Sequence, residues 1–391
     1  MSTNVKILIV TESPAWGGTE VTTLSLAAEL GRRGHEVTLA QFGPPIFEGP
    51  AAADRLPVRI VTVPHRLRDA GFLSWWRTFE NLPADVCVIS KGSFDRRSAA
   101  LDIAARLRYR RYVIFEHHPA PEPEVRTSRR HFGLLPGLGL WWRRQQISLW
   151  IHAHIADRVI AVSDTVRHRV ERLYGYDPSR GFRVHCGVDP ARFRFDPEGR
   201  RKSRAEWGVP EHALVIGAIS RLDVNKRFNV AVDQFAALAR RHPDLPLYFV
   251  LAGVGPTRDA LVAQAAAQGL NGQCLLVGRV QHSWEALSAL DCFMMVSEFE
   301  GLGIALLEAM ACERACIATN SGGPGEIVTD PSLGWLVPND DPAALTAALE
   351  EMIALPPERR AEMGRRARAH VVGHFDAATQ CARLADLVES A

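Results

Sequence analysis

Short apolar runs alternate with helical patterns along most of the chain, in two successive series. In the first series, the expected strands are residues 6–11, 37–40, 58–63, 86–89, 112–115 and 158–162. A second series follows, with expected strands at 214–220, 247–252, 274–277, 292–296, 315–318 and 334–337. Strands that alternate with helices in this way are typical of parallel, doubly wound sheets. The sequence therefore predicts an α/β protein with two Rossmann-like domains.

The segment 184–193 joins the two series and carries the glycine and proline punctuation that a hinge needs. We place the first domain at residues 1–185 and the second at 186–370. Residues 371–391 are expected to form a closing helix.

Composition is ordinary for a soluble globular chain of 391 residues, with 47% hydrophobic and 23% charged residues. A net charge of +2 is too small for the protein as a whole to attract nucleic acid.

The seven cysteines are scattered along the chain. The one close pair, Cys312 and Cys316, has no second pair at zinc-site spacing, so we expect free thiols in a reducing compartment. The start of the chain has no signal-peptide pattern, and no apolar run approaches the ~18 residues that span a bilayer. We expect a cytoplasmic protein.

Two carboxylates, Glu300 and Glu308, stand eight positions apart across a strand-to-helix junction, with a glycine turn at 301–303 between them. This arrangement predicts Glu300 at the carboxyl end of a strand and Glu308 on the helix behind it, where open α/β sheets bind ligands. The alternative is a carboxylate that complements a helix dipole and a solvated glutamate on the helix surface. The loops on either side of this segment distinguish the ligand site from this alternative.

Two loops are rich in glycine and stand between a strand and a helix. Residues 16–20 (Trp-Gly-Gly-Thr-Glu) follow the first strand, and residues 321–326 (Ser-Gly-Gly-Pro-Gly-Glu) follow a strand of the second series. Backbone N–H groups in such loops can approach an anion or sugar hydroxyls closely. The first loop does not have the Gly-x-Gly-x-x-Gly spacing of dinucleotide binders, and a tight turn without a ligand is its alternative.

Cations follow the first strand of the second series. Arg221 can grip a phosphate with two hydrogen bonds, and Lys226 supplies a mobile point charge. Together they suit a departing diphosphate, although two solvated loop cations would give the same pattern.

Paired histidines, His117 and His118, end a strand of the first series. No further group of ligands accompanies them, so we expect no metal site.

In this order, the motifs resemble those of the retaining, nucleotide-sugar-dependent glycosyltransferases of family 4, which have the GT-B fold. Glu300 to Glu308 matches the Glu-x7-Glu motif of that family, and Arg221 with Lys226 matches its diphosphate loop. The other matching segments are 17–20, 30–37, 187–193 and 318–326. The resemblance implies two Rossmann-like domains that face a central cleft, an acceptor-binding domain followed by a nucleotide-sugar-binding domain, and a C-terminal helix that crosses back to the first.

The resemblance also implies roles for individual residues. Arg221 and Lys226 would bind the diphosphate of the donor and stabilise it as it leaves, and Glu308 would bind the ribose hydroxyls. Glu300 would face the hydroxyls of the donor sugar, and His117 would meet that sugar near its anomeric carbon, with His118 as the less favoured candidate. The implied catalytic residues are Glu300, His117, Arg221 and Lys226. The implied donor-binding residues are Gly17, Gly18, Arg221, Lys226, Gly278, Glu300, Gly301, Leu302, Gly303 and Glu308.

The expected reaction is front-face transfer from a UDP-sugar, with GDP-mannose as the alternative donor, and it needs no metal or other cofactor. A double displacement through a protein carboxylate is the rival mechanism. Two residues depart from the pattern of the family. Cys186 stands where asparagine is usual, and Glu313 stands where glycine is common. If the backbone at Glu313 has a positive φ, the cost is roughly 1 kcal/mol.

Arginines interleave with tryptophans and leucines between residues 125 and 150. The cations and aromatic residues expected to meet a membrane are Arg126, Arg129, Arg130, Trp141, Trp142, Arg143 and Arg144. Such a segment is typical of an anionic membrane surface, and its alternative is a partly buried helical pair with a solvated arginine face. We expect a lipid-linked, polysaccharide or other glycoconjugate acceptor at the inner face of the cytoplasmic membrane, and no nucleic acid.

Other functions fit the same two-domain plan. They are a sugar-nucleotide epimerase, a phosphorylase, a transferase that acts on a small natural product, and a sugar- or lipid-binding module without catalysis. A module of the last kind would tolerate loss of Arg221, Lys226 or Glu300, whereas this chain has all three.

Overall fold

The computed structural model describes residues 4–11, 16–63, 71–92, 98–118, 150–151 and 154–391. The chain divides into two compact units, Met1–Cys186 with Thr379–Ala391, and Gly187–Ala378. The Arg/Trp segment predicted to meet a membrane, 126–144, lies outside the described residues. Among the described residues, none of the helices combines the length and the apolar character that crossing a bilayer requires.

The first unit is built around a parallel sheet whose described strands have the order β3-β2-β1-β4-β5-β6-β7. The strands are β1 Lys6–Thr11, β2 Glu36–Phe42, β3 Arg59–Val63, β4 Val86–Lys91, β5 Arg111–Glu116, β6 Arg158–Ala161 and β7 Gly181–Arg183. The helices are α1 Gly18–Arg32, α2 Glu48–Ala53, α3 Phe72–Glu80, α4 Ala99–Arg108 and α5 Asp164–Tyr174. The six predicted strands are present, and β7 is a short edge strand that the apolar pattern did not indicate.

β1 and β4 lie side by side at the centre of this sheet, although β2 and β3 intervene in the chain. Both strands are buried along almost their whole length, which is why they appear in the sequence as continuous apolar runs. The strand order reverses between them, and ligands of doubly wound sheets bind outside the carboxyl ends at such a point. Gly17 and His117 both come from loops at this end of the sheet.

The second unit repeats the plan with the strand order β10-β9-β8-β11-β12-β13. The strands are β8 Leu214–Ile219, β9 Leu247–Ala252, β10 Cys274–Gly278, β11 Cys292–Met295, β12 Ala315–Thr319 and β13 Trp335–Val337. The helices are α6 Pro197–Trp207, α7 Phe228–Arg241, α8 Arg258–Ala267, α9 Ser283–Ala289, α10 Ile304–Ala311, α11 Pro324–Ile327, α12 Pro342–Ala354 and α13 Pro357–His374. All six strands correspond to predicted runs. The order reverses between β8 and β11, so the loops that leave these two strands are the natural ligand site.

The last helix, α14 (Ala377–Glu389), packs on the first unit. Arg33 Nη1 lies 2.7 Å from Asp386 Oδ1, and His35 Nε2 lies 2.9 Å from Glu389 Oε1. Arg158 Nη1 donates to the carbonyl of Leu387 at 2.8 Å. The C-terminal helix thus returns to the first unit as predicted, but it begins at Ala377, because residues 371–374 belong to α13.

Glu313 has a backbone φ of 61°, in the left-handed region. It follows the end of α10, where a helix commonly stops on a glycine in this conformation. The predicted strain of roughly 1 kcal/mol therefore applies at this position.

Candidate active site

The loops that leave β8 and β11 bring a cation and a carboxylate together in the second unit. Lys226 Nζ lies 2.5 Å from Glu300 Oε1, and Ser297 Oγ donates to the same carboxylate oxygen at 2.6 Å. Glu300 is 4% exposed, so this ion pair is held in a mostly desolvated position. The contact brings together two residues that are separated by 74 positions in the chain.

Asn225 fastens these two loops to each other. Its Nδ2 donates to the carbonyl of Phe299 at 2.9 Å, and its own carbonyl accepts from the N–H of Glu298 at 2.8 Å. Both bonds are made by the residue that precedes Lys226, and they reach the two residues that precede Glu300. Asn225 therefore sets the register in which cation and carboxylate meet.

Arg221 lies on the same β8 loop as Lys226 and is largely exposed, with a side-chain exposure of 56%. It pairs with Asp223 two residues later. Burial alone would raise the pKa of Asp223, but the hydrogen bond and the charge of Arg221 outweigh it and hold that pKa below its usual value. The β8 loop thus has three cations: Lys226 pairs with Glu300, Arg221 with Asp223, and Arg227 with Asp340.

The turn between Glu300 and α10 depends on close backbone contact with the β12 loop. Gly303 begins the helix with φ 103°, a conformation that favours glycine. A Cβ at Gly323 would lie 2.2 Å from Leu302 Cα, so only glycine fits there. Glu300 N donates to the carbonyl of Ser321 at 2.9 Å, and Gly323 N donates to the carbonyl of Glu300 at 3.1 Å.

Ser321 adds a hydroxyl to this cluster. The residue is 4% exposed, and its Oγ has no hydrogen-bond partner within the part of the chain that the structure describes. A buried hydroxyl without a partner is costly, and a polar ligand would satisfy it.

Glu308 lies on α10, as the sequence predicts. Burial raises the pKa of its carboxyl to about 7, and the charge of Arg192 offsets part of that effect. The side chain is only partly accessible to solvent, and it accepts no hydrogen bond from the described residues. A half-ionised carboxylate in this position can accept hydrogen bonds from neutral hydroxyl groups, and these bonds would stabilise its ionised form.

Gly278 ends β10 with φ 76°, and its carbonyl accepts from Gly253 N at 2.7 Å. β10 is separated from β8 by β9. Gly278 therefore belongs to the same end of the sheet as the Lys226–Glu300 pair but lies two strands away from β8.

In the first unit, His117 directly follows β5 and is 3% exposed. Its N–H donates to the carbonyl of Lys91 at 3.1 Å, and its Nε2 lies 3.2 Å from Ser90 Oγ. Burial, aided by the charge of His118, lowers the pKa of His117 to about 3, and Glu116 opposes that shift. His117 is therefore neutral at physiological pH, while its neighbour His118 is more accessible.

Gly17 and Gly18 begin α1 in the first unit. The carbonyl of Gly17 accepts from Val21 N at 3.1 Å, which makes it the first acceptor of the helix. Residues 12–15, which lie between β1 and this loop, are outside the described residues.

Four polar residues at these sites were not predicted as site residues: Ser297, Asn225, Ser90 and Thr23. Ser297 and Asn225 stand three and one residues from predicted ones, so proximity to a motif was their only sequence signal. Ser90 and Thr23 have no such signal, because they reach His117 from a different strand and a helix.

All seven cysteines lie in described parts of the chain and are free thiols. Within those same parts, no group of three or more His, Cys, Asp or Glu side chains has the arrangement of a metal site.

Two family models match complementary parts of the chain. "Glycosyltransferase Family 4" matches residues 16–192, and "Glycosyl transferases group 1" matches residues 199–370. The two matches together include the loops of both units described above.

Curated relatives are glycosyltransferases of bacteria. The GDP-mannose-dependent alpha-(1-6)-phosphatidylinositol monomannoside mannosyltransferase of Mycolicibacterium smegmatis is 32% identical, over 60% of this chain and 62% of that protein. The D-inositol 3-phosphate glycosyltransferase of Kineococcus radiotolerans is 28% identical over 94% of this chain and 89% of that protein. Against the relatives matched first, the chain spans only 50% to 62% of their length.

Two solved structures of similar fold each cover at least 98% of this chain. Anabaena Alr3699/HepE in complex with UDP-glucose has a TM-score of 0.81 at 20% identity, over 99% of this chain and 100% of that one. WaaG, a glycosyltransferase involved in lipopolysaccharide biosynthesis, has a TM-score of 0.75 at 17% identity, over 98% and 99%. At these identities the likeness establishes the fold. The chain has the GT-B fold and belongs to the family-4 glycosyltransferases.

Proposed function

We propose that this protein is a retaining glycosyltransferase that moves a sugar from a nucleotide-diphosphate sugar to a lipid-linked, polysaccharide or other glycoconjugate acceptor. The contact of 2.5 Å between Lys226 Nζ and Glu300 Oε1 carries this proposal. A donor of this class needs a cation for its phosphates and, beside it, a carboxylate for the hydroxyls of its sugar. The β8 and β11 loops offer that pair.

The cations of the β8 loop act on the leaving group. As the bond between the anomeric carbon and the diphosphate oxygen breaks, negative charge develops on the diphosphate, and Arg221 and Lys226 stabilise it. These two side chains do the work that a divalent ion does in other phosphate sites, so we propose that the reaction needs no metal. Added EDTA would then leave the rate unchanged.

The carboxylates hold the donor. Glu308 accepts hydrogen bonds from the ribose hydroxyls, and Glu300 accepts them from hydroxyls of the transferred sugar. Binding of the diphosphate draws Lys226 towards the phosphates, and a hydroxyl of the sugar then takes the place of Lys226 on Glu300 Oε1, beside the bond from Ser297.

We propose that transfer proceeds on one face of the sugar. The acceptor hydroxyl attacks the anomeric carbon on the face from which the diphosphate leaves, and a phosphate oxygen takes its proton. Glu300 Oε1 already accepts from Lys226 and from Ser297, and both contacts make it a poorer nucleophile. A covalent sugar adduct trapped on Glu300 would overturn this mechanism.

For the donor we propose a UDP-sugar, with GDP-mannose as its direct competitor because the Mycolicibacterium relative is named for that donor. A thermal-shift series with UDP-glucose, UDP-N-acetylglucosamine and GDP-mannose separates them, since a ligand that binds only the folded state raises the melting temperature. If GDP-mannose alone raised the melting temperature, the donor would be GDP-mannose and the proposal of a UDP-sugar would be wrong.

Transferase activity is tested by the acceptor dependence of nucleotide release. A glycosyltransferase releases nucleoside diphosphate when a polyprenyl-phosphate-linked or phosphoinositol glycan is added, and proton NMR of the product then reports the same anomeric configuration as the donor. Conversion of the donor sugar into an isomer without an acceptor would instead identify an epimerase.

We also propose that the protein rests on the inner face of the cytoplasmic membrane through the Arg126–Arg144 region of its sequence, where arginines stand beside Trp141 and Trp142. Flotation with vesicles of phosphatidylglycerol at low salt measures this, with phosphatidylcholine vesicles as the control. Failure to float with the anionic vesicles would refute it.

A further inference from the structure

Three hydrogen bonds lead from the first turn of α1 to the ring of His117, and the direction of each follows from the atoms involved. Thr23 Oγ1 lies 2.7 Å from the carbonyl oxygen of Thr19. A carbonyl oxygen only accepts, so the hydroxyl hydrogen of Thr23 points at it. Thr23 has no second hydrogen to donate.

Ser90 is the next residue in this series of hydrogen bonds. Its Oγ lies 2.7 Å from Thr23 Oγ1 and 3.2 Å from His117 Nε2. Because Thr23 has used its hydrogen, Ser90 must donate to Thr23, and it can then only accept from the histidine. The hydrogen of this last bond is therefore on Nε2 of His117.

A neutral imidazole carries one N–H, so Nδ1 of His117 has a free lone pair. The ring is neutral because its burial disfavours the charged form. None of the described residues makes a hydrogen bond to Nδ1. The first unit thus holds a fixed acceptor at the carboxyl end of its sheet.

A second set of contacts fixes the backbone of the same histidine. Lys91 Nζ lies 2.8 Å from Asp102 Oδ1, and both side chains are at most 1% exposed. Tyr112 donates to the same oxygen of Asp102 at 2.6 Å. These buried bonds anchor the end of β4, where the carbonyl of Lys91 accepts the N–H of His117. The last two residues of β4 therefore hold both the ring and the main chain of His117.

We propose that Ser90 and Thr23 are positioning residues that hold His117 as the Nε2–H tautomer, so that its Nδ1 accepts a hydrogen bond from a hydroxyl of the sugar substrate. This inference rests on the proposed glycosyltransferase function and specifies what His117 recognises. A lone pair repels phosphate oxygens and attracts a hydroxyl hydrogen, so the partner is a sugar hydroxyl and not the diphosphate. His117 acts here as a neutral acceptor and neither gives nor takes a proton.

The test combines a spectrum with kinetics on the full chain. Nitrogen-15 NMR of histidine-labelled protein distinguishes Nε2–H from Nδ1–H rings, and His117→Gln assigns the signal. We expect the Nε2–H pattern in the unliganded protein. In Ser90→Ala the signal should shift towards a mixture of tautomers, and kcat/KM for the donor sugar should fall roughly tenfold, the scale of one lost hydrogen bond. Ser90→Thr, which keeps the hydroxyl, should restore both.

Thr23→Val and Thr22→Val form a matched pair on α1. Both remove a hydroxyl that donates to a carbonyl four residues earlier, since Thr22 Oγ1 donates to Gly18 O at 3.0 Å. Only Thr23 continues to Ser90, so only Thr23→Val should change the tautomer and the rate. Equal effects of the two variants would assign the loss to the helix and overturn the inference.

The spectrum separates this inference from the function on which it rests. An Nδ1–H ring in the wild-type protein overturns the inference even if the transferase activity is present. If no nucleotide sugar binds, the proposed function fails, and with it the role of Nδ1, although the spectrum still reports the tautomer. Circular dichroism of each variant excludes loss of folding as the cause.

Discussion

The two units place their polar residues differently at the carboxyl ends of equivalent sheets. In the second unit, the charged groups Lys226 and Glu300 meet at the loops, and Arg221 is largely exposed. In the first unit, the opposite charges Lys91 and Asp102 are paired in the interior. The described residues at that end of the first sheet include two buried carboxyl groups, Glu20 and Glu116, but no cation reaches solvent as Arg221 does, and the contacts of His117 are made by hydroxyl and main-chain groups.

We propose that this difference adapts equivalent ends of the same fold to different chemical groups. An anionic diphosphate requires cations that can be reached from solvent, and the β8 loop has them. A neutral sugar requires groups of fixed direction, and buried hydroxyl chains supply direction without charge. We therefore expect charge changes in the second unit to cost more activity than polar changes in the first.

The largest effect is expected from Lys226→Ala. It removes a cation from the developing charge of the diphosphate and removes the ion pair with Glu300, so kcat/KM should fall by about 10²- to 10³-fold. The steady-state rate of nucleotide release measures this. Lys202→Ala is the matched control, because Lys202 pairs with Glu285 at 3.0 Å on the surface of the same unit and should leave the rate unchanged.

A loss below about fivefold in Lys226→Ala would remove the main argument for a diphosphate site, since that loss is no larger than an ordinary surface effect. A similar loss in Lys202→Ala would point to general destabilisation of the second unit.

A smaller effect, dependent on pH, is expected from Glu308. Burial raises the pKa of its carboxyl to about 7, and the neighbouring Arg192 holds it from rising further. If the ionised form accepts the ribose hydroxyls, the donor KM should rise by roughly tenfold between pH 8 and pH 6, as the ionised fraction falls. Donor titrations across this range measure the effect.

Glu308→Gln should bind the donor more weakly at high pH and lose most of the pH dependence. Glu362→Gln is the control, because Glu362 is paired with Arg366 on the surface of α13, and a hydrogen bond from that arginine keeps its pKa low. A wild-type donor KM that is flat from pH 8 to 6 would show that the carboxylate of Glu308 does not contact the donor.

Much of the fold was predictable because buried parallel strands leave continuous apolar runs. All six strands of the second sheet and six of the described strands of the first were indicated by such runs. β7, Gly181–Arg183, was not, because three residues at the edge of a sheet are too few to show a pattern. The strand orders follow from the doubly wound plan rather than from any single segment.

The site was predictable only where a motif is local. Glu300 and Glu308 share one short segment, as do Arg221 and Lys226. The sequence did not indicate that these two segments are in contact, because the hydrogen bond from Asn225 to Phe299 spans 74 positions of the chain. The hydroxyl chain to His117 joins residues 27 and 67 positions apart, and no sequence spacing encodes which side chains of β4 and α1 will face each other.

The smallest effect on activity is expected from the protonation of His117. The same protonation should have a measurable effect on the free energy of unfolding. The pKa of His117 is lowered to about 3 by burial and by His118, against the opposing charge of Glu116. The folded state therefore stays neutral while the unfolded chain takes up a proton near pH 6.5. Stability contributed by this residue is complete above pH 6.5 and is lost as the pH falls from 6.5 towards 3, by about 2 kcal/mol at pH 5.

Urea unfolding of wild type and His117→Gln at pH 8 and pH 5 measures this loss. The variant should lose less stability on acidification than the wild type, whereas His168→Gln, at an exposed position on α5, should behave as the wild type does. Because His117 does not titrate between pH 6 and pH 8, the acid decline of donor binding should persist in His117→Gln and vanish in Glu308→Gln. If it vanished instead in the histidine variant, the first unit would hold the group whose titration controls donor binding, and the assignment of that role to Glu308 would be wrong.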